Sequence, residues 1–201
     1  MIDVQQHRFC RRSSKYFPKS RHFHDQQNKS YDQKFKPKIR SMKQPVWKTC
    51  DENELWRYVA WHLEGEGISC VLVGGAVVSI YPKGAYRSGD LDLITDKRAL
   101  LPEALAKIGF KPSKSRYFKH PECDHLVLEF PKGPVELGEQ YPVIPAEIRV
   151  EGRVLKLLSP TDCVKDRMAS YIDWKSKDSF NQALLICRTQ VDNINMQELS
   201  A

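Results

Sequence analysis

Apolar positions follow a regular pattern only after residue 42, and no leucine occurs before Leu55. Residues 51–66 have apolar side chains at helical spacing and an acidic first turn, which predicts an amphipathic helix. The near-continuous apolar run at 68–73 predicts a strand that is covered on both faces. A glycine pair ends this strand, and residues 76–81 predict a short helix that stops before Pro82 and Gly84.

Residues 90–95, DLDLIT, alternate carboxylate and leucine, which predicts a strand whose leucines face the core. Asp90 and Asp92 then share the opposite face, toward a cleft. Two carboxylates on one face repel each other, so a fold keeps them together mainly when a cation lies between them. Gly74 and Gly75 leave bare backbone at a helix start, where an anion can dock. The stretch predicts a metal site beside a phosphate site; the alternative is a solvated edge strand.

The remaining pattern predicts a helix, two hairpins and a pair of antiparallel helices, at residues 96–110, 116–131, 146–158, 160–174 and 176–190. The second hairpin turns at Glu151-Gly152. Ser159 is the predicted N-cap of the first C-terminal helix, with Asp162 at N3 as in a capping box. We therefore expect a folded core at 42–158, followed by a helical hairpin at 159–201.

The net charge of +7 is concentrated in the N-terminal arm, residues 1–41. The arm holds 11 Lys and Arg against 3 Asp and Glu, whereas residues 42–201 hold 21 against 22. Charge therefore does not indicate that the folded part binds nucleic acid. We interpret the arm as a disordered tail. The alternatives are an arm that binds RNA or acidic lipid, and natural translation that starts at Met42.

The six cysteines are scattered and form no CxxC pair, so we interpret them as reduced thiols of a cytoplasmic protein. No apolar run is long enough for a membrane span, and the N-terminus is not a secretory signal. His120, Cys123 and His125 lie around one hairpin turn, with no fourth zinc ligand nearby in the sequence. We interpret these three residues as exposed turn residues rather than as a metal site.

The VGG motif, followed after a spacer by Arg87-Ser88-Gly89-Asp90-Leu91-Asp92, resembles the signature of the polymerase-beta-like nucleotidyltransferase superfamily. The Arg-Ser-x-Asp-x-Asp run is most similar to the abortive-infection and toxin-type branch, the minimal nucleotidyltransferases. The C-terminal helix pair is similar to the helical hairpin that follows the catalytic core in that branch. The resemblance covers roughly residues 55–190.

The resemblance implies an α+β nucleotidyltransferase fold, a mixed β-sheet flanked by helices and followed by the C-terminal hairpin. It also implies two Mg²⁺ ions held by three carboxylates, with Asp90 and Asp92 as the first two. Glu129 is the best candidate for the third, and Glu136 is the alternative. Nucleotide binding is implied for a further set of residues: Gly74, Gly75, Arg87, Ser88 and Arg167. For Arg167, an ion pair with a nearby carboxylate is an equal alternative.

The function that follows is transfer of an NMP from an NTP to a hydroxyl of an RNA end, a protein or a small molecule. Such an enzyme would suit a toxin–antitoxin or phage-defence system. The family more often has aspartate at the third carboxylate position, so Glu129 favours a second hypothesis. This is a catalytically degenerate protein of the same fold that binds a nucleotide or a partner. A third hypothesis is an RNA-binding accessory protein that works through the basic arm.

Overall fold

The strand that precedes the glycine pair lies inside a seven-stranded sheet. The computed structural model of the chain describes residues 41–82, 84–133, 135–137 and 141–199, and only the backbone of residues 136, 137, 141 and 142. The predicted arm at 1–41 lies outside the described residues, apart from Ser41. Among the helices of the described residues, none combines the length and the apolar character needed to cross a membrane.

The strands, in chain order, are β1 (Val71–Val73), β2 (Asp90–Ile94), β3 (Lys111–Pro112), β4 (Tyr117–His120), β5 (Cys123–Glu129), β6 (Glu136–Leu137), β7 (Tyr141–Pro142), β8 (Ala146–Val150) and β9 (Arg153–Leu157). The main sheet has the order β3-β4-β5-β2-β1-β9-β8, and β6 pairs separately with β7. β1 pairs parallel with β9 and β2 pairs parallel with β5, whereas the other neighbours are antiparallel. The sheet is therefore mixed, as predicted.

The helices are α1 (Glu52–Gly65), α2 (Gly75–Ile80), α3 (Leu101–Ala106), α4 (Pro160–Trp174), α5 (Lys177–Thr189) and α6 (Met196–Leu199). α1 begins at a capping box: the Glu54 N–H donates to Asp51 Oδ1 at 2.8 Å, and the Asp51 N–H donates to Glu54 Oε2 at 3.2 Å. This pair satisfies two backbone donors that have no partner inside the helix. The predicted helix at 51–66 is confirmed.

The alternation in β2 divides its side chains between core and surface. Leu91 and Leu93 are fully buried, whereas Asp90 is exposed and Asp92 is half-buried. β1 is buried throughout, since it lies between β2 and β9 and packs against α2. The chain thus has the predicted α+β fold, a mixed sheet flanked by helices.

The two C-terminal helices pack against each other with opposite directions. Ser170 Oγ lies 2.9 Å from Ser179 Oγ, and Arg167 Nη1 donates to Gln182 Oε1 at 3.3 Å. The later residues of α4 therefore meet the earlier residues of α5, which is the predicted antiparallel hairpin. Both helices also contact α2, so the hairpin reaches the segment that follows the glycine pair.

Two predicted details of the helices are wrong. The predicted helix at 96–110 is a 3₁₀ turn, Arg98–Leu100, followed by the six-residue α3. Pro102 has no N–H and therefore fits only the first turn of a helix, and Gly109 ends the segment with φ +88°. At Ser159 only half of the capping box forms, because Asp162 accepts from the Ser159 hydroxyl rather than from its N–H.

The interpretation of His120 and Cys123 as exposed turn residues is also wrong. His120 is 6% exposed and Cys123 is 1% exposed. The His120 ring stacks on Trp47 with 3.7 Å between centroids, so the segment before α1 covers this hairpin turn. His125 is partly exposed, in line with the prediction.

Candidate active site

Three carboxylates from two adjacent strands converge on one face of the main sheet. β2 and β5 run parallel, with Asp92 paired to Glu129 and Asp90 paired to Val127. Asp90 lies two residues from Asp92 on β2, so both side chains are on the same face of the sheet. Glu129 is the cross-strand partner of Asp92 and lies on that face too. One oxygen of each carboxylate lies within 4.8 Å of an oxygen of the other two. The structure therefore brings the three predicted metal ligands together.

The position of Asp92 in the cluster disfavours its ionised form. The pKa of Asp92 is raised to about 7, mainly by burial and in addition by the nearby charges of Asp90 and Glu129. Arg167 opposes them and lowers the pKa. A cation between the three carboxylates would remove the repulsion, because an opposite charge nearby favours the ionised form. The oxygen-only donor set is of the type that Mg²⁺ prefers.

Gly74 brings the backbone against the central carboxylate. It has φ +72° and ψ −157°, a conformation that is essentially restricted to glycine. A Cβ at this position would lie 2.4 Å from Asp92 Oδ2. At Gly75 a Cβ would make only ordinary contacts, 3.4 Å from Ser88 Oγ and 3.9 Å from Arg167 Nη1. The first glycine is therefore required by both conformation and space, and the second is not.

Ser88 is held between a buried glutamate and the exposed aspartate. Its backbone N–H donates to Glu52 Oε1 at 2.6 Å, and its hydroxyl donates to Asp90 Oδ1 at 3.0 Å. Glu52 lies in the first turn of α1 and is only 3% exposed. The hydrogen bond from Ser88 satisfies one oxygen of this buried carboxylate and fixes the loop before β2. Ser88 therefore positions Asp90.

Arg167 reaches the same region from α4. Its guanidinium donates to Asp166 and to Gln182, and Nη1 lies beside Gly75. Gln182 donates in turn to the Tyr86 hydroxyl at 2.8 Å, which ties α5 to the loop before β2. Arg167 therefore forms the predicted ion pair, with Asp166 as its partner. The positive charge of Arg167 also lowers the pKa of Asp92.

Two further predicted site residues are Arg87 and Glu136. Arg87 is exposed and lines a separate cavity of about 400 Å³ with Asp51, Glu52 and Arg57, among others. Glu136 lies in β6, outside the main sheet, and its side chain lies outside the described residues. Glu129, whose side chain is described, lies in the carboxylate cluster and is the candidate for the third carboxylate.

Arg116 is a site residue that the sequence did not reveal. Its Nε donates to Glu129 Oε1 at 2.6 Å, and its side chain is half-exposed. Arg116 comes directly before β4, which pairs with β5, so the contact depends on strand pairing. Glu52, Tyr86 and Gln182 were missed for the same reason. For Glu52 the sequence did offer a signal, the acidic run at 51–54, but we interpreted that run only as a favourable helix start.

A cavity of about 710 Å³ opens on the carboxylate face of the sheet. Ile94 lines it, and lies two residues beyond Asp92 on the same face of β2. Asp96, Arg98 and Lys132 also line the cavity. Arg98 Nη1 is buried and has no hydrogen-bond partner among the residues that the structure describes. The cavity therefore holds a cationic side chain with unused hydrogen-bonding capacity, on the sheet face that also carries the carboxylates.

Comparisons with known proteins give structural matches only. No protein-family model matches the sequence, and no curated protein matches it. Two similar solved structures are the lincosamide antibiotic adenylyltransferase LnuA bound to lincomycin, and ANT(2″)-Ia in complex with adenylyl-2″-tobramycin. The first is 16% identical with a TM-score of 0.46, covering 69% of this chain and 98% of that one. The second is 15% identical with a TM-score of 0.47, covering 68% and 87%.

A further match is the crystal structure of an antigenic nucleotidyltransferase-like protein from Paracoccidioides brasiliensis. Its TM-score is 0.52 at 18% identity, and the match covers 69% of this chain and 76% of that chain. At this identity the similarity concerns the fold alone. The chain therefore has a nucleotidyltransferase-like fold.

Proposed function

We propose that the chain is a Mg²⁺-dependent nucleotidyltransferase that moves an NMP from an NTP such as ATP to a hydroxyl acceptor. The observation that carries the proposal is the convergence of Asp90, Asp92 and Glu129 beside the backbone of Gly74. Adjacent carboxylates whose charges repel suit a hard divalent cation that keeps positions for phosphate oxygens. A place in a toxin–antitoxin or phage-defence system stays a prediction from the sequence motif.

Asp90, Asp92 and Glu129 would hold the Mg²⁺, for which the family resemblance implies two ions. When bound, the metal stabilises the attacking hydroxyl and the leaving pyrophosphate. Ser88 keeps one oxygen of Asp90 in a hydrogen bond, which leaves the other free to bind the metal. Arg116 neutralises part of the charge of Glu129, and so limits the repulsion in the cluster.

The NTP triphosphate would lie between the glycine pair and Arg167. Gly74 and Gly75 carry no side chain that keeps phosphate oxygens from the backbone. Arg167 is held by Asp166 and Gln182, so its positive charge is fixed beside Gly75 at little further entropic cost. Arg87 is proposed to approach the triphosphate from the loop before β2, away from the cavity that it lines here.

Mg²⁺ binding should tighten as pH rises, because Asp92 must lose its proton to bind the metal. With a pKa of about 7, the ionised fraction of Asp92 falls roughly tenfold from pH 8 to pH 6, and affinity should fall with it. Isothermal titration of the metal-free protein with MgCl₂ at several pH values measures this change. Affinity that does not vary over this range would contradict the assignment of Asp92.

The stability of the metal-free protein should change in the opposite direction. The folded pKa of Asp92 lies above its unfolded value of 3.8, so the folded state binds more protons between the two values. The free energy of unfolding should therefore fall as pH rises from about 4 to about 7. Urea unfolding should show a smaller fall in Asp92→Asn, which has no proton to lose at this position.

We propose that the acceptor occupies the 710 Å³ cavity and carries phosphate. Arg98 and Lys132 supply two positive charges against one negative charge from Asp96. The unused Arg98 Nη1 suits a phosphate or carboxylate oxygen rather than an amino group. Among the acceptors that the sequence left open, this favours an RNA end.

Arg98→Met/Lys132→Met should lower NMP transfer to RNA by roughly 10- to 100-fold while NTP binding stays unchanged, because two phosphate contacts are lost. The measurement is incorporation from α-labelled NTP into total RNA at several salt concentrations. Lys111→Met/Lys119→Met, on the exposed side of β3 and β4, is the charge-matched control. Equal transfer by both double variants would remove the cavity as the acceptor site.

The alternative function is a catalytically degenerate protein that binds a nucleotide or a partner. The observation that favours it is the ion pair between Arg116 and Glu129, which occupies one oxygen of the third carboxylate. Both functions are tested by incubating the purified chain with α-labelled NTPs, Mg²⁺, and total RNA or protein. Labelled product with release of pyrophosphate supports the enzyme, whereas NTP binding in calorimetry without any transfer supports the alternative.

A further inference from the structure

We propose that Cys50, Cys123 and His125 form a zinc-binding site, separate from the carboxylate cluster. Cys50 directly precedes the N-cap of α1, and Cys123 is the first residue of β5. His125 lies two residues after Cys123, on the same face of that strand. One ligand atom of each residue lies within 4.8 Å of the ligand atoms of the other two. The zinc site therefore depends on Cys50, which lies 73 positions before Cys123 in the chain.

The separations of the ligand atoms fit a tetrahedral zinc ion. Cys50 Sγ lies 4.0 Å from Cys123 Sγ, and Cys123 Sγ lies 3.8 Å from His125 Nδ1. Zn–S bonds of about 2.3 Å and a Zn–N bond of about 2.0 Å give tetrahedral S–S and S–N separations of about 3.8 Å and about 3.5 Å. A disulfide needs its sulfurs at about 2.05 Å. The observed spacing is therefore much closer to that of two thiolates on one metal than to a disulfide.

The hydrogen bond of His125 prepares its other nitrogen for a metal. His125 Nε2 lies 2.9 Å from the carbonyl oxygen of Cys50, which can only accept. In the neutral imidazole the proton is therefore on Nε2, and the lone pair of Nδ1 faces Cys123 Sγ. Zinc-bound histidines commonly donate their second nitrogen to a carbonyl in this way, which fixes the tautomer and the ring orientation.

The surroundings suit a borderline-soft metal and leave one position for a fourth ligand. Cys50 and Cys123 are 0% and 1% exposed, so both thiols lie away from bulk solvent. His125 is about one-third exposed, and Asp124 Oδ1 lies 3.6 Å from its Nδ1. The fourth ligand is therefore the Asp124 carboxylate or water. On binding, each thiol releases its proton to solvent and Zn²⁺ gains two thiolate bonds and one imidazole bond.

The zinc site would clamp two elements that position the carboxylate cluster. Cys50 lies two residues before Glu52, whose carboxylate holds the Ser88 N–H. Cys123 begins β5, the strand that ends at Glu129. Zinc would therefore stabilise the fold by binding the folded state. At an excess of 100-fold over the dissociation constant, we expect the Tm to rise by roughly 5 to 10 °C.

Titration of the reduced, untagged, metal-free full-length protein with Co²⁺, followed by Zn²⁺, tests the proposal. Co²⁺ should give a thiolate-to-metal charge-transfer band and the visible bands of a tetrahedral complex, at one ion per chain, and Zn²⁺ should abolish both. Cys50→Ser and Cys123→Ser should lose the charge-transfer intensity, and His125→Gln should shift the visible bands. Cys187→Ser is the matched control, a partly buried free thiol elsewhere in the chain, and should keep the full spectrum.

His125→Gln keeps the proposal testable if a cysteine variant fails to fold, since His125 is partly exposed. Asp92→Asn should keep the cobalt spectrum, which separates this site from the proposed activity. A spectrum without thiolate bands would overturn the proposal, as would one that survives in both Cys123→Ser and His125→Gln. A Cys50–Cys123 disulfide found by mass spectrometry, with no thiolate-to-cobalt band after reduction, would instead assign the pair to redox chemistry.

Discussion

Asp92→Asn should abolish NMP transfer, with a loss of about 1,000-fold or more in kcat. Asp92 lies between Asp90 and Glu129 and is the most buried proposed metal ligand of β2. The amide keeps the shape of the side chain but loses the negative charge, so the site would hold Mg²⁺ weakly. The measurement is transfer of α-labelled NMP to RNA and protein at saturating NTP and Mg²⁺.

Stability separates this loss from misfolding. The amide removes a desolvated charge from the cluster, so the metal-free variant should have at pH 8 a Tm no lower than that of the wild type. Asp173→Asn makes the same chemical change at an exposed position of α4 and should keep full activity. Unchanged transfer in Asp92→Asn would contradict the proposed enzyme. Wild-type protein that binds MgATP without transfer would favour the degenerate binding protein.

The sequence predicted those parts of the site that depend on neighbours along the chain. The two-residue spacing of Asp90 and Asp92 placed both on one face, and the leucines between them are buried as expected. The glycine pair located the turn that the structure places beside Asp92. Such features follow from strand periodicity and backbone conformation, which are local properties.

Contacts that depend on packing between distant segments could not be predicted in this way. Glu52 holds Ser88 across 36 positions, and Gln182 reaches Tyr86 across 96. Cys50 was likewise absent from the predicted histidine and cysteine cluster, because it reaches Cys123 only when the segment before α1 covers β5. Glu129 was predicted as a carboxylate ligand only through the family resemblance, since the parallel pairing of β2 with β5 has no local signal.

The short elements show a second limit of sequence patterns. Apolar spacing at 96–110 is that of one helix, yet Pro102 and Gly109 restrict α3 to six residues. Arg98 lies in the 3₁₀ turn that precedes α3. Its side chain therefore lines the 710 Å³ cavity rather than the surface of a long helix. Periodicity predicted that a helix lies here, but not where the helix begins, because backbone constraints at single residues decide that point.

Gly74→Ala should lower both stability and NMP transfer. The backbone conformation alone costs a non-glycine residue about 1 to 3 kcal/mol. The new Cβ would also lie 2.4 Å from Asp92 Oδ2, so either the carboxylate or the turn must move. We expect a lower Tm in thermal unfolding and a loss of about 100-fold or more in transfer, because displacement of a ligand by 1 Å is costly to catalysis.

Two matched variants separate backbone strain from the clash. Gly67 has the same φ of +72°, but a Cβ there would meet nothing within 4 Å. Gly67→Ala should therefore lower the Tm through strain alone and leave transfer unchanged. Gly75→Ala, whose Cβ makes only ordinary contacts, should keep the Tm. If Gly74→Ala lost no more activity than Gly67→Ala, the close approach of the Gly74 backbone to Asp92 would have no role in the reaction.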